Sequence, residues 1–148
     1  EVEVTGATLE KEGVPHKEGL VELLEYLKKN NIKCAVATST PQHPAIDHIK
    51  NAGVYDYFDA IITGDMTEKG KPEPDIYLKA CKEIGVEPQY AMGLEDSFNG
   101  VRAIFSAGMK AVMIPDMVEP DEEMHSKCFA IKKSLTDVIS LIDEINKN

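Results

Sequence analysis

Residues 91–100 read AMGLEDSFNG. A short apolar run (Ala91, Met92, Leu94) stops at two adjacent carboxylates, Glu95 and Asp96, with Ser97 and Gly100 close behind. A run this short, bounded by polar turn residues, is the pattern of a strand buried on both faces. Strands of that kind belong to parallel sheets covered by helices. The following stretch, 98–107, is spaced as a helix and stops at Gly108. The unit is therefore a strand, an acidic turn and a helix.

The same alternation extends in both directions. Upstream, Leu20, Leu23, Leu24 and Leu27 recur at helical spacing between Gly19 and Asn30. The run Ile32 to Ala37 reads as a buried strand ended by Thr38-Ser39-Thr40-Pro41. Pro44 suits the first turn of a second helix, and Gly53 its C-terminal cap. A brief strand over 60–62, a loop over 63–73 and a helix from about Pro74 to Ile84 complete this half. Downstream come a strand over Lys110 to Ile114, a polar stretch over 115–128 with one helical turn near Glu122 to His125, and a weak edge strand at 129–131. A last helix is capped by Ser134 or Thr136 and striped by Val138, Ile139, Leu141, Ile142 and Ile145. Strands alternating with helices over short loops predict a Rossmann-like, three-layer α/β/α fold with a parallel sheet. Phe98 and Phe105 are expected to face that sheet, and Cys34 and Cys81 to be small core residues.

Composition narrows the functional classes. The 148 residues are enough for one domain with a real core, and 43% hydrophobic with 28% charged residues is a globular balance. A formal net charge of -10, without a run of Lys or Arg, argues against nucleic acid and anionic membrane surfaces as partners. Three cysteines without paired spacing suit a reduced, cytoplasmic setting. His16, His43, His48 and His125 lack metal-ligand spacing and read as exposed or helix-associated. The opening residues look like the middle of an element, so a fragment of a longer protein is expected.

In open parallel sheets, ligands bind at the carboxyl ends of the strands, where strand order reverses. Three polar groups follow strands here: Thr38-Ser39-Thr40, Lys71 within GKP, and Glu95-Asp96-Ser97. Hydroxyls and free N–H groups in a strand-to-helix turn can hold phosphate oxygens. Lysine supplies a compact positive charge. Paired carboxylates can hold Mg²⁺, which prefers hard oxygen ligands and bridges to phosphate. Singly, each group has a plain reading: a turn and helix cap for Thr38-Ser39-Thr40, a solvated loop lysine, and an acidic cap of the next helix for Glu95-Asp96. Their conjunction at one sheet edge points to phosphoryl transfer on a small phosphate ester.

These residues resemble the haloacid dehalogenase superfamily, specifically its beta-phosphoglucomutase-like branch of phosphatases and phosphohexomutases. CAVATSTPQ resembles the family's second motif, which makes Thr38 the phosphoryl-binding residue, with Ser39 and Thr40 beside it. GKPEPDIYLKA is similar to the third motif and assigns Lys71 to charge stabilisation. GLEDSFNGVRAIFSAGM resembles the fourth, with Glu95 and Asp96 as metal-side carboxylates and Mg²⁺ the implied cofactor. The likeness covers roughly Val14 to Ile114.

One departure stands out. The family begins with a strand ending in Asp-x-Asp, which carries the nucleophile and the general acid/base. No such motif occurs here. By the resemblance, residues 1–16 are the remnant of a helical cap and its hinge, and 17–148 are the core. The missing strand lies centrally in the family, between the strands ending at Thr38 and Glu95. Its absence would leave unpaired backbone edges mid-sheet, so the chain should be unstable or should fill the gap with another strand. The expected activity is Mg²⁺-dependent phosphatase or hexose-phosphate mutase chemistry, with the nucleophilic Asp outside this chain. A non-catalytic metal and phosphate-binding module is the rival. A response-regulator receiver domain ranks last, because its acid pair follows its first strand whereas Lys71 precedes the acids here.

Overall fold

The computed structural model describes residues 3–10, 18–115 and 119–147. Six parallel strands form one sheet: β1 (Gly6–Glu10), β2 (Lys33–Ala37), β3 (Ala60–Ile62), β4 (Ala91–Glu95), β5 (Lys110–Met113) and β6 (Ala130–Ile131). Their order is β3-β2-β1-β4-β5-β6. The chain builds outward from β1 in one direction to β3, then returns to β1's other side and builds outward to β6. The reversal lies between β1 and β4, which locates the ligand crevice of such a sheet at their carboxyl ends.

This arrangement corrects one expectation and decides between two others. Gly6–Glu10 is strand, not the remnant of a cap helix, and it occupies the centre of the sheet. Thr8 pairs with Ala35 on one side and Gly93 on the other, and Leu9 with Val36 and Leu94. The alternative raised by the sequence, a gap filled by another strand, is what occurs. Val4, Thr5 and Thr8 are β-branched and Gly6 is a poor helix former, so local preference agrees with the extended state. The core sheet thus begins before residue 17, the expected boundary, which lies with 11–16 outside the described residues.

Among the described residues, six α-helices accompany the sheet: α1 (Leu20–Lys29), α2 (Gln42–Asn51), α3 (Asp75–Ile84), α4 (Phe98–Ser106), α5 (Glu122–Lys127) and α6 (Leu135–Lys147). On one face, the leucine stripe of α1 and Leu135, Val138, Ile142 and Ile145 of α6 pack on Leu9, Val36, Met92, Leu94 and Val112. On the other, α3 and α4 pack on Ala35, Ala37, Ala91 and Ala111. The first face carries large side chains and the second small ones, so α3 and α4 approach the strands closely. Gly93 is the extreme case: a Cβ there would sit 2.6–2.8 Å from Ile104 side-chain carbons.

Several caps match expectation. Gly53 follows α2 with φ 76°, a left-handed position that glycine takes without strain. The N–H of Asp137 reaches Ser134 Oγ at 3.4 Å, so Ser134 begins α6. Cys34 and Cys81 are buried, and His43, His48 and His125 are exposed, whereas His16 lies outside the described residues. Phe105 is a correction. It is 49% exposed rather than facing the sheet, with the Lys127 ammonium 5.0 Å from its ring centre. In α4 the buried stripe is Gly100, Val101, Ala103 and Ile104, which turns position 105 outward. Phe98 is half-buried against the α3/α4 side of the core. Among the described residues no helix is long and apolar enough to cross a membrane.

Candidate active site

The carboxyl ends of β1 and β4 carry Glu10 and Glu95. Leu9 is paired with Leu94, so the next residues along, Glu10 and Glu95, come level at the crevice. Both side chains are buried, at 6% and 1% exposure. Asp96 follows, half-buried. One carboxylate oxygen from each of Glu10, Glu95 and Asp96 falls within a 4.8 Å group.

Glu95 is held on both oxygens. Oε1 accepts the N–H of Asp96 at 3.1 Å, the N–H of Ser97 at 3.3 Å and the Ser97 hydroxyl at 3.2 Å. Oε2 accepts the Lys71 ammonium at 3.0 Å and the Tyr77 hydroxyl at 2.8 Å. Such a set offsets the desolvation cost of a buried carboxylate. The turn makes room for it through Gly100, where a Cβ would lie 1.9 Å from Glu95 Cδ and Oε2. Ser97 also accepts the N–H of Gly100 at 3.0 Å and so caps α4. The plain reading of the acid pair as the helix cap therefore passes to Ser97.

Lys71 reaches this group from the loop after β3, following which the Lys71–Pro72 peptide bond is cis. Its ammonium lies 3.0 Å from Glu95, 3.9 Å from Glu10 and 5.5 Å from the Tyr77 ring centre. Tyr77 comes from the buried face of α3 and is fully enclosed. Burial first, then the Glu95 carboxylate, pushes its phenol well above the ordinary range, so it stays a protonated donor.

Thr38 ends the neighbouring strand, one residue past Ala37, which is paired with Glu10. It is fully buried, and its hydroxyl accepts the N–H of Thr40 at 3.1 Å. Ser39 is exposed and Thr40 half-buried. The loop after β3 backs this turn: Gly64 lies against the Ser39 carbonyl so closely that a Cβ would come within 2.4 Å of it. The Thr63 hydroxyl donates to Asp65, whose other oxygen accepts the N–H of Gln42 at 3.4 Å.

Glu95 thus contacts both Lys71 and Asp96, and Thr38 to Thr40 form a separate turn at the same edge. Sequence reasoning passed over Glu10, Tyr77 and Gly100. Tyr77 shares the 77, 80, 81, 84 stripe of α3, and a buried tyrosine hydroxyl calls for a partner.

A family model described as haloacid dehalogenase-like hydrolase matches residues 1–108. This chain belongs to the haloacid dehalogenase-like hydrolases. It is 40% identical over 94 residues to a phosphorylated carbohydrates phosphatase of Thermotoga maritima, covering 64% of this chain and 44% of that protein. It is also 40% identical over 94 residues to the beta-phosphoglucomutase of Bacillus subtilis, over 64% of this chain and 41% of that one. The chain therefore spans a little under half the length of these curated relatives. The crystal structure of CbbY from Rhodobacter sphaeroides in complex with phosphate superposes with a TM-score of 0.73 at 34% identity, over 82% of this chain and 55% of that one. Family membership sets the receiver-domain alternative aside and agrees with the parallel, helix-covered sheet.

Proposed function

We propose that this chain is the core of an Mg²⁺-dependent phosphoryl-transfer enzyme acting on a small phosphorylated metabolite, a sugar phosphate, as phosphatase or hexose-phosphate mutase. The observation that carries this reading is the contact of Lys71 with a three-carboxylate group at the switch point, one strand away from the Thr38 turn. The relatives' named activities on phosphorylated carbohydrates and phosphoglucose support the substrate class. The nucleophilic Asp belongs, in this reading, to a segment outside these 148 residues.

The donor set suits Mg²⁺: one hard carboxylate oxygen from each of Glu10, Glu95 and Asp96 lies within 4.8 Å of the others. Glu10, Glu95 and Asp96 would hold the cation between them, and Glu95 also orients Lys71 through its 3.0 Å contact. Bound there, the cation would neutralise charge on a phosphoryl oxygen. Thr38, with Ser39 and Thr40, would hold the phosphoryl oxygens from the β2 side, and Lys71 would meet them from the β3 loop. Lys71 is held in position by the buried Glu95, 3.0 Å from its ammonium.

The test is Mg²⁺-dependent release of inorganic phosphate from a panel of hexose phosphates, using the protein in its longest natural form. Turnover that falls on the order of 10²-fold or more in Lys71→Ala and Asp96→Asn is expected. Absence of turnover across the panel would favour a non-catalytic binding module. Glu10→Gln separates two roles. Lost turnover means that Glu10 works in the site, and unchanged turnover means that Glu95 and Asp96 suffice.

A further inference from the structure

The enclosed Tyr77 takes no part in the roles assigned so far, yet it touches both partners of the central ion pair. Its hydroxyl donates to the same Glu95 oxygen that accepts the Lys71 ammonium, at 2.8 and 3.0 Å. The Lys71 ammonium also lies 5.5 Å from its ring centre. Tyr77 itself is 0% exposed and sits on α3, whose start is only four residues after Lys71. Small residues on this face of the sheet, Ala35, Ala37 and Ala91, let α3 lie close enough for a full tyrosine to reach the strand ends.

We propose that Tyr77 is a positioning residue of the site, a buried clamp whose hydroxyl fixes the Glu95 carboxylate and whose ring floors the Lys71 ammonium. A lysine has four rotatable carbons and strong hydration, so one ion pair does not fix where its charge sits. Two restraints from different groups do. The Glu95 oxygen sets the ammonium's distance from the crevice wall, and the ring face sets its height above α3. Tyr77 also holds Glu95 when Lys71 turns toward a ligand, because Oε2 then keeps one donor and is not left bare in a buried site. A phenylalanine would supply the floor without the hold.

The inference deepens the proposed function, and its functional arm rests on Lys71 meeting a phosphate. The test is Tyr77→Phe, which keeps the ring and removes one oxygen. The first readout is the ¹⁵N–¹H correlation of the Lys71 ammonium, identified by its loss in Lys71→Arg. The second is the dissociation constant for inorganic phosphate at saturating Mg²⁺, measured by calorimetry. In Tyr77→Phe the ammonium correlation is expected to broaden away through solvent exchange. Phosphate binding is expected to weaken on the order of tenfold, the scale of one charge-assisted hydrogen bond. Thr8→Val, which removes another buried hydroxyl from the same sheet face, should leave both readouts unchanged and so controls for packing effects.

A Lys71 correlation and phosphate affinity both like wild type in Tyr77→Phe overturn the proposal. If Tyr77→Phe does not fold, the wild-type protein decides. A slowly exchanging Tyr77 hydroxyl proton with a cross-peak to the Lys71 side chain supports the clamp, and its absence sinks it. If wild type binds no phosphate at all, the proposed function fails, and the Lys71 correlation still judges Tyr77 independently.

Discussion

Thr8 is fully buried in the central strand, and its hydroxyl has no hydrogen-bond partner among the described residues. A buried, unpaired hydroxyl carries its desolvation cost uncompensated, whereas valine has the same shape and a strand preference at least as good. Thr8→Val should therefore raise the unfolding free energy by about 1 kcal/mol, roughly 3 °C in thermal midpoint, read by calorimetry. A lower midpoint would mean that the hydroxyl finds a partner in solution. At this scale the sequence was informative wherever function sits in a local motif. Lys71 beside a proline, and Glu95-Asp96 at the end of an apolar run, are legible because each needs only its own turn. The clamp on Glu95 was not legible, because Tyr77 is 18 residues away along the chain and meets it only through the packing of α3. The need for Gly100 was hidden for a similar reason: the atom it makes room for belongs to Glu95, five positions earlier.

Helices were readable as elements because their apolar stripes recur at a fixed period, as in Leu20, Leu23, Leu24 and Leu27 of α1. Strand β1 was not readable as such, because family likeness assigned its residues to a cap while local preference favoured extension. Helix-on-sheet distance also escaped the sequence, and Gly93 measures it. Gly93→Ala would drive a methyl into Ile104, where the nearest atoms include Cγ1 and Cγ2 as well as the mobile Cδ1. We expect a loss of about 1–3 kcal/mol by denaturant unfolding, with α4 displaced. Ile104→Ala in the same chain should recover part of that loss, and the double-mutant cycle should give a coupling of about 1 kcal/mol or more. Additive effects would show that α4 does not press on β4 as described.

At the scale of the whole molecule, among the described residues, burial holds Cys34, Cys81 and Tyr77 protonated in the folded state. Burial, and then Asp59, raises the Cys34 thiol strongly. Burial takes Cys81 from 9.0 to about 11, and burial with Glu95 raises Tyr77. Each folded value lies above the unfolded one, so each contribution to stability is complete below the unfolded value and is lost as pH rises through the folded one. For Cys81 that window runs from about pH 9 to about 11. Denaturant midpoints measured from pH 8 to 11 should fall steadily, and Cys81→Ala should shallow the slope between 9 and 11. A flat profile would contradict the burial of these groups. The same molecular scale separates what was written in the chain from what was not. The order of elements, the parallel sheet and the polar edge carrying Thr38, Lys71, Glu95 and Asp96 followed from the sequence, because periodicity and turn chemistry are local. Which strand occupies the centre, and that Glu10 joins the carboxylates there, was decided by the tertiary structure. The place between β2 and β4 has backbone donors and acceptors on both sides, and a segment that permits extension fills it only because the assembled sheet satisfies both of its edges.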